Sequence, residues 1–586
     1  MAQNKNLQKL ELTWIGKGGE PKLEPRILIE NQEYSYGDPN TENMLIYGDN
    51  LLALKALEQD YAGKVKCIYI DPPYNTGNAF EHYDDGIEHS LWLSLMKPRL
   101  ELLHKLLTPD GSIFVSIDNN EIAYLQVMMD EIFQRKNRKN IIIIKRGSVT
   151  GAKVINPGLV NISEFILVYS KDASKWNPNR LSRRKDRDSR YGTFIENYDE
   201  NFSEWRFIPI ASALGIKFGL KPNILKKQLG KDYEKTVEEF VYANSERVIQ
   251  FATLDDKSIS KAALELKKES QIKQGVTLKL ERDGKKPYFI HNGKLILFVK
   301  DRLQVIDGEL SFSEPLTDIW DDVLPNDLHN EGGVDFRKGK KPEKLIQRIF
   351  DLASNEGDLV LDSFLGSGST AAVATKMKRR WIGIELGEHA ITHCFPRIKS
   401  VIEGEQRGIS KAVNWQGGGG FKFYNLAPSL LKKDKFNHWV ISDEYNPDML
   451  AAAMSKQEGF TYNPSETQFW KQGFSSEQDF IFTTTQFMTV QQLEAIAEDM
   501  QEGESLLICC KAFQPECKTK YSNITIKKIP QLLLDRCEFG KDDYSLNIVN
   551  LPQDESQNAD EEENWNDEAE DTDTQPEDQN KNKLFD

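Results

Sequence analysis

Short apolar runs alternate with stretches of helical hydrophobic spacing in two separate parts of the chain. In the first part, Val65–Ile70 and Ser112–Ile117 predict strands, and Leu91–Leu107 carries apolar residues at helical spacing. Ile141–Ile144 and Phe165–Tyr169 predict two further strands. This alternation of strand and helix is typical of an α/β domain built around a largely parallel sheet.

The same alternation resumes after residue 340. The pattern predicts a helix over 341–353, a strand at Leu359–Leu361, a helix from Thr370 and a strand at Trp381–Leu386. Between the two parts, residues 171–318 show only mixed short helices and hairpins. We therefore predict one sheet whose chain is interrupted by an inserted domain.

Six segments follow from these patterns and from changes in composition. They are an N-terminal extension with little core of its own (1–43), a first α/β half (44–170), an inserted domain (171–315), a second α/β half (316–425), a C-terminal domain (426–552) and an acidic tail (553–586). The tail is too polar to fold alone, so we predict that it is disordered.

The net charge is concentrated in the tail. The 586 residues include 75 Lys and Arg against 91 Asp and Glu, a formal charge of −16. Residues 553–586 hold 14 acidic residues and two lysines, which leaves about −4 for the other 552 residues. The body of the protein is thus nearly balanced, and its charge does not exclude a nucleic-acid partner.

Several sequence features together predict a soluble, cytoplasmic protein without a membrane partner. No apolar run approaches the ~18–20 residues that span a bilayer, and the N-terminus lacks the pattern of a secretory signal. Six unevenly spaced cysteines do not suggest a disulfide framework. The last four admit a metal cluster as an alternative, but two of them lie in an apolar strand-like run, which favours buried thiols. The cysteines are Cys67, Cys394, Cys509, Cys510, Cys517 and Cys537.

A glycine-rich segment, Asp362–Thr370, joins a predicted strand to a predicted helix. Gly366 and Gly368 allow a tight turn and close approach of a ligand, and Thr370 is placed to cap the helix. The next strand ends at Glu385, whose carboxylate can accept hydrogen bonds from both hydroxyls of a ribose. The turn contains no Lys or Arg, which favours adenosine without phosphates. A structural corner and a solvated strand end are the alternatives.

A second motif follows the predicted strand at Val65–Ile70. Asp71-Pro72-Pro73-Tyr74 opens the loop at the strand's carboxyl end, where α/β folds collect their active sites. The prolines stiffen the loop, so that the Asp71 carboxylate and the Pro72 carbonyl can accept the two hydrogens of an adenine amino group. Tyr74 offers its face for stacking on the base. The alternative is a simple turn with Tyr74 in the core.

These two motifs resemble those of the amino-group DNA methyltransferases. Lys341-Pro342-Glu343-Lys344-Leu345 and Gly111–Asp118 also resemble motifs of that family. The catalytic motif precedes the glycine-rich motif, which is the order of the β class. The resemblance implies a Rossmann-like S-adenosylmethionine-dependent methyltransferase fold, permuted, with an inserted target-recognition domain and a C-terminal α+β extension.

The resemblance also implies roles for individual residues. Asp71, Pro72, Pro73 and Tyr74 would be catalytic, and an initial Asp favours adenine N6 over cytosine N4. S-adenosyl-L-methionine would be the cofactor, and no metal is expected. The cofactor-binding residues would be Asp49, Asp362, Phe364, Gly366, Ser367, Gly368, Thr370 and Glu385.

A basic run in the inserted domain is the candidate for contacts with duplex DNA. Eight Lys and Arg stand against three Asp in residues 171–190, and a solvated charged loop is the alternative. The candidate DNA-binding residues are Arg180, Arg183, Arg184, Lys185, Arg187 and Arg190.

The length of the chain and the stretches Glu81–Arg99 and Leu506–Asn547 resemble the modification subunit of type III restriction-modification systems. That resemblance implies a homodimer that pairs with a helicase-nuclease restriction subunit. The alternatives are a solitary DNA adenine methyltransferase, a DNA-binding specificity subunit with little catalysis, and an RNA adenine methyltransferase.

Overall fold

The computed structural model describes residues 11–74, 85–145, 159–306, 309–324, 331–334, 340–529, 533–534 and 536–544. The predicted tail at 553–586 and the residues that follow Tyr74 in the catalytic motif, Asn75–Gly77, lie outside these ranges. None of the helices described has the length and apolar character needed to cross a bilayer.

The described residues of the N-terminal extension and the first α/β half form seven strands and three α-helices. The predicted strand at Val65–Ile70 is confirmed with the same bounds, and the prolines that follow it end the strand. The elements are β1 (Leu28–Glu30), β2 (Tyr36–Gly37), β3 (Met44–Tyr47), α1 (Asn50–Tyr61), β4 (Val65–Ile70), α2 (Asp85–Leu106), β5 (Leu107–Ile117), α3 (Ile122–Phe133), β6 (Arg138–Lys145) and β7 (Ser163–Ser170).

The inserted segment forms its own sheets and its own apolar cores. The elements are β8 (Ser182–Lys185), β9 (Thr193–Ile195), β10 (Phe207–Pro209), α4 (Ile210–Phe218), α5 (Pro222–Leu229), α6 (Tyr233–Ala243), β11 (Val248–Thr253), α7 (Lys261–Ile272), β12 (Thr277–Arg282), β13 (Lys285–His291), β14 (Lys294–Phe298), β15 (Leu303–Ile306) and β16 (Glu309–Pro315). A six-stranded sheet has the order β10-β9-β11-β14-β13-β12, and β15, β16 and β8 form a second sheet.

The chain then returns to the first sheet. The elements of this second half are β17 (Ile319–Trp320), α8 (Glu343–Ala353), β18 (Leu359–Asp362), α9 (Ser369–Lys376), β19 (Arg380–Glu385), α10 (Phe395–Ile402) and β20 (Gly420–Leu426). The main sheet has the order β1-β20-β3-β19-β18-β4-β5-β7-β6-β17, and β2 pairs with β20. Strands from both sides of the insertion therefore form one sheet, as the sequence predicts.

The central strands of the main sheet run parallel. β18 lies between β19 and β4, and the register pairs Val360 with Cys67 and Leu361 with Ile68. Leu45, Ile46, Ile68 and Leu361 are completely buried, as expected for strands covered on both faces. This pairing places the carboxyl ends of β4, β18 and β19 along one edge.

The described part of the C-terminal domain contains a five-stranded mixed sheet, a two-stranded sheet and two α-helices. Its elements are β21 (Leu431–Lys433), β22 (Trp439–Ile441), α11 (Pro447–Glu458), β23 (Thr461–Tyr462), β24 (Gly473–Ser476), β25 (Asp479–Met488), α12 (Val490–Asp499), β26 (Ser505–Phe513) and β27 (Ile524–Lys528). β25, β26 and β27 are parallel, and β23 and β24 pair antiparallel at one end. All six cysteines of the chain are buried thiols, two of them in β26.

A buried ion cluster holds the helices of the second half against the glycine-rich turn. Glu343 at the start of α8 accepts from Lys376 at 2.8 Å and from Arg397 at 2.9 Å. Arg397 also donates to the hydroxyls of Ser367 at 3.2 Å and Ser369 at 2.6 Å. Although burial raises the pKa of Glu343, the two cations outweigh it and lower that pKa. The cluster thereby fixes the backbone of the turn.

We expect Glu343→Ala to lower the free energy of unfolding by about 3–5 kcal/mol, because it leaves two buried cations without their shared carboxylate. Chemical denaturation followed by tryptophan fluorescence measures this change. The matched control is Glu356→Ala, which removes an exposed ion pair with Lys378 and should cost about 1 kcal/mol or less. Equal losses in the two variants would show that the buried cluster does not stabilise the domain.

Candidate functional site

The predicted catalytic and cofactor-binding residues gather at one edge of the main sheet. Asp71 follows the last residue of β4, Asp362 is the last residue of β18, and Glu385 is the last residue of β19. The carboxyl ends of parallel strands are where open α/β sheets bind their ligands. The structure therefore brings together side chains that the sequence separates by nearly 300 residues.

One oxygen of the Asp71 carboxylate is fixed by two donors. Oδ1 lies 3.1 Å from Lys341 Nζ and accepts the Tyr74 hydroxyl at 3.0 Å. Oδ2 accepts no hydrogen bond from the residues that the structure describes. Trp92 on α2 donates its indole N–H to the Pro73 carbonyl at 2.9 Å, which anchors the loop. The Asp71 carboxylate is thus oriented through Oδ1, and Oδ2 can still accept a hydrogen bond from a ligand.

Lys341 connects the two halves of the domain at this site. Its ammonium group contacts Asp71, the Tyr74 hydroxyl at 2.9 Å and Glu164 Oε2 at 3.1 Å. It also lies 5.0 Å from the centre of the Tyr74 ring. Sequence reasoning placed Lys341 in a motif but gave it no role, because nothing local shows that β4, β7 and the start of α8 meet. The local signal was a pair of lysines, Lys340 and Lys341, directly before a proline and a predicted helix.

The electrostatics of the pocket are dominated by buried carboxyls. Burial raises the pKa of Asp71, and the Lys341 ammonium opposes that shift. Burial also lowers the pKa of Lys341, but the carboxylates of Asp71 and Glu164 outweigh it and raise that pKa. Burial raises the pKa of Asp362 to about 7 and raises that of Glu385. The arrangement suits a ligand that is cationic or rich in hydrogen-bond donors.

The glycine-rich turn has the backbone that the sequence predicts. Gly366 and Gly368 both have positive φ, at 56° and 80°, and a Cβ on Gly368 would lie 3.3 Å from Cys394 Cα. Glu385 accepts from the amides of Gly366 at 2.7 Å and Gly387 at 3.1 Å. These bonds align the end of β19 with the turn.

The predicted helix cap at Thr370 is wrong. Gly368 is the N-cap of α9, and no side chain caps it. Thr370 is buried inside the first turn and donates to Asp362 Oδ2 at 2.6 Å, while Phe364 donates its amide to Oδ1 at 2.9 Å. The buried Asp362 carboxylate needs both donors, and this requirement decides the position of the hydroxyl. The proposed contacts of Phe364, Ser367 and Thr370 with a cofactor remain predictions.

Asp49 lies at the same edge but is occupied within the chain. Its Oδ1 accepts from the amides of Leu51 and Leu52 and so caps α1, and Oδ2 accepts from Arg99 and from the amide of Tyr544. The neighbouring side chain of Asn50 donates to the Ser363 carbonyl at 2.7 Å. A direct contact between Asp49 and a cofactor therefore stays a prediction.

The basic run lies alongside α8. Asn179, next to Arg180, contacts the last turn of α8. Arg183 contacts Asp321 at 3.4 Å, and the next residue, Asp322, contacts Lys344 in the first turn of α8. Several of these cations already have partners: Arg183 and Lys185 bind Glu314, Arg187 binds Glu234, Arg190 binds Asp188, and Arg184 donates to the Ile306 carbonyl at 2.8 Å.

A groove of about 780 Å³ separates this run from α8, and both Arg180 and Arg184 line it. A phosphate that binds Arg183 or Lys185 would compete with the Glu314 carboxylate. The DNA-binding role of the six residues stays a prediction.

The residues at the end of β18 fit an adenosine cofactor that carries a sulfonium. The Ser363 hydroxyl is buried and has no hydrogen-bond partner among the described residues, which leaves a polar group for a ligand. The raised pKa values of Asp71, Asp362 and Glu385 show carboxyls that gain from a nearby positive charge. No group of three or more potential metal ligands occurs in the ranges that the structure describes.

Comparison with known proteins finds relatives of this chain. The probable type III restriction-modification enzyme HindVI Mod subunit of Haemophilus influenzae is 39% identical over 68% of this chain and 56% of its own length. The type II methyltransferase M.EcaI of Enterobacter cloacae is 27% identical over 77% of this chain and 86% of its own length. Among solved structures, the M1.HpyAVI–SAM complex matches 61% of this chain and 98% of that chain, at 13% identity and a TM-score of 0.28, too low to support a conclusion.

The chain spans little more than half the length of the HindVI subunit. A family model described as DNA methylase matches residues 65–395, from β4 to the start of α10. That range contains both motifs, the whole insertion and the pocket at the sheet edge, and it covers more than half of the sequence. The chain therefore belongs to the DNA methylase family.

Proposed function

We propose that this protein transfers a methyl group from S-adenosyl-L-methionine to N6 of an adenine flipped out of duplex DNA. The observation that carries the proposal is the Asp71 carboxylate, held through one oxygen at the end of β4, next to the glycine-rich turn after β18. Membership of the DNA methylase family supports the same reaction.

The reaction needs positioning of the amine more than acid-base chemistry. The adenine amino group is a poor nucleophile because its lone pair is delocalised into the ring. Hydrogen bonds to Asp71 Oδ2 and the Pro72 carbonyl favour a tetrahedral nitrogen, an effect that is greatest in the transition state. The cofactor supplies an activated methyl group when it is bound. Tyr74 stacks on the base, which offsets part of the cost of leaving the duplex, a few kcal/mol.

Lys341 prepares Asp71 for this role. A carboxylate in a buried pocket tends to take up a proton, and a protonated Asp71 loses an acceptor. The ammonium group lowers the pKa of Asp71 and occupies Oδ1, so the ionised Oδ2 is directed to the amine. Glu164 holds Lys341 from the opposite side at 3.1 Å.

The proposed cofactor-binding residues lie in or next to the glycine-rich turn. Glu385, Asp362, Gly366 and Gly368 would surround the adenosine part of the cofactor, with Glu385 as acceptor for the ribose hydroxyls. The inserted domain, with its own cores, would read the DNA sequence, and the basic run would contact phosphates. Duplex DNA is favoured over RNA for two reasons. The insertion is large, and the catalytic motif precedes the glycine-rich motif, which is the order of the β class.

We further infer that the chain is the modification subunit of a type III restriction-modification system, acting as a homodimer in the cytoplasm with a helicase-nuclease partner. The similarity to the HindVI Mod subunit supports this assignment. A solitary methyltransferase is the second candidate, because the match to M.EcaI covers 86% of that type II enzyme. Copurification with a helicase-nuclease from the native host would favour the first candidate, and an active chain that purifies alone would favour the second.

The product of the reaction tests the proposal directly. The purified chain, incubated with labelled S-adenosylmethionine and unmethylated genomic DNA, should yield N6-methyladenine when the DNA is digested to nucleosides and analysed by mass. N4-methylcytosine would overturn the choice of base, and stronger labelling of competing RNA would overturn the choice of DNA.

We expect Asp71→Ala to reduce methyl transfer by more than about 10³-fold, because the amine loses its charged acceptor. Binding of S-adenosylmethionine and of DNA should stay within a few fold, since Lys341 keeps Glu164 as a partner. Single-turnover transfer and two separate titrations measure these effects. Asp71→Asn is the matched variant, which keeps an acceptor oxygen without the charge. Transfer at a near wild-type rate in Asp71→Ala would remove Asp71 from the mechanism.

Glu385→Ala should weaken S-adenosylmethionine binding by about 10- to 100-fold, the value of hydrogen bonds to a charged group. DNA binding should change by about twofold or less, because Glu385 lies at the turn and not in the inserted domain. Calorimetry with the cofactor and fluorescence anisotropy with DNA separate the two effects. Glu385→Gln keeps an acceptor oxygen and should show a smaller loss. An equal loss of both affinities would indicate a purely structural role.

Lys341→Met should shift the acidic limb of the pH–rate profile to higher pH by about one unit or more. The sign follows from the charge: burial and the Glu164 carboxylate raise the pKa of Asp71, while Lys341 and the hydrogen bond from Tyr74 lower it. Without the lysine, Asp71 stays protonated up to a higher pH. The measurement is kcat/KM for methyl transfer between pH 5 and 9.

Lys105→Met, which removes an exposed partner of Glu58, is the control for Lys341→Met and should leave the profile unchanged. Lys341→Arg should restore part of the shift because it retains the positive charge. A profile of unchanged shape with a uniformly lower rate would show that Lys341 does not act through the protonation of Asp71.

A further inference from the structure

The last described residues of the chain return to the methyltransferase domain. Glu538 donates its amide to the Lys22 carbonyl at 2.8 Å, and Arg26 donates to the Lys541 carbonyl at 2.8 Å. Tyr544 is 7% exposed and belongs to the same core as α1, α2 and β4. Residues 538–544, named here the C-terminal latch, therefore pass along the N-terminal extension and end beside α1 and α2.

The backbone of Tyr544 is bound on both sides by buried groups. Its amide donates to Asp49 Oδ2 at 3.0 Å, and its carbonyl accepts from Arg99 Nη2 at 3.4 Å. Asp49 and Arg99 themselves lie 3.4 Å apart, with side chains at most 2% exposed. The latch thus completes the polar network that caps α1.

The network extends from the latch to the end of β18. Arg99 donates through Nε to Asn50 Oδ1, and Asn50 donates to the Ser363 carbonyl at 2.7 Å. Ser363 directly precedes the glycine-rich turn, and its buried hydroxyl has no partner among the described residues. Asn50 and Arg99 are 8% and 2% exposed, so water cannot readily replace a lost contact. A displacement of Tyr544 therefore reaches the turn through only two side chains.

We propose that the C-terminal latch positions the cofactor pocket, so that its release weakens the binding of S-adenosylmethionine. The proposal rests on the proposed function, which identifies that cofactor. With the latch in place, Tyr544 bridges Asp49 and Arg99, and Asn50 binds the Ser363 carbonyl. Without it, Asp49 Oδ2 and Arg99 Nη2 each lose one of two partners and keep only each other, so Arg99 and Asn50 can shift. The coupling is reciprocal, so bound cofactor stabilises the latch.

Two truncations test the proposal. A chain that ends at Gly540 lacks the residues that contact Arg26, Asp49 and Arg99, and we expect its dissociation constant for S-adenosylmethionine to rise about tenfold, within the usual range of such couplings. A chain that ends at Pro552 loses only the acidic tail and should bind as the full chain does. Calorimetry measures both constants, and DNA affinity is measured in parallel.

Hydrogen exchange in the intact protein provides the second measurement and does not depend on a truncated chain that folds. Addition of S-adenosylmethionine should slow exchange of the Tyr544 amide about tenfold. A peptide from α12, which has no contact with the network, serves as the control and should not change. If the latch only stabilises the fold, the exchange rate of the Tyr544 amide will not change when the cofactor is added.

The outcomes separate the latch from the proposed function. If the full chain binds S-adenosylmethionine but the Gly540 truncation binds it equally well and exchange at Tyr544 is unchanged, the latch proposal fails alone. If the full chain binds no S-adenosylmethionine at all, the proposed function fails and the latch proposal fails with it. Weaker cofactor binding by the Gly540 truncation, together with slower exchange in the full chain, supports both.

Discussion

The parallel pairing of β4 with β18 is the constraint on which the pocket depends. The two strands are separated by nearly 300 residues, yet their register sets Ile68 opposite Leu361 and brings Asp71 and Asp362 to one edge. A shift of the register by one residue would send these side chains to opposite faces of the sheet. The inserted domain must therefore leave and rejoin the sheet without disturbing this pair. It does so at the far side, where β17 adds to β6.

The same pairing has an electrostatic cost. Three carboxyls with raised pKa values, those of Asp71, Asp362 and Glu385, are brought to one buried edge. Lys341 contacts the carboxylate of Asp71. Hydrogen bonds hold the two loops that carry these carboxyls. Trp92 donates to the Pro73 carbonyl, and Arg397 donates to Ser367 and Ser369 of the turn. The buried ion cluster thus helps to hold the turn beside these carboxyls.

Elements with a strong local signal could be predicted from the sequence. β4 carries an uninterrupted apolar run ended by two prolines, and its bounds were predicted without error. The edge strands β2 and β17 have only two residues each and offer no pattern to detect. Thr370 was assigned to a helix cap because capping is a local rule, whereas the need of Asp362 for a donor is visible only in three dimensions. The roles of Lys341 and Tyr544 depend on contacts between distant segments for the same reason.

The contacts of the N-terminal extension bear on how the C-terminal domain can act. Glu24 and Arg26 are both buried, and Glu24 accepts from the amide of Leu430 at 2.7 Å while Arg26 reaches the Ala427 carbonyl at 3.2 Å. A domain joined only by a flexible linker would lack such buried bonds. The extension therefore fixes the C-terminal domain against the methyltransferase domain. A partner that binds the C-terminal domain would therefore be held at a defined position relative to Asp71. A structural change in the C-terminal domain would reach the methyltransferase domain through the extension and the latch.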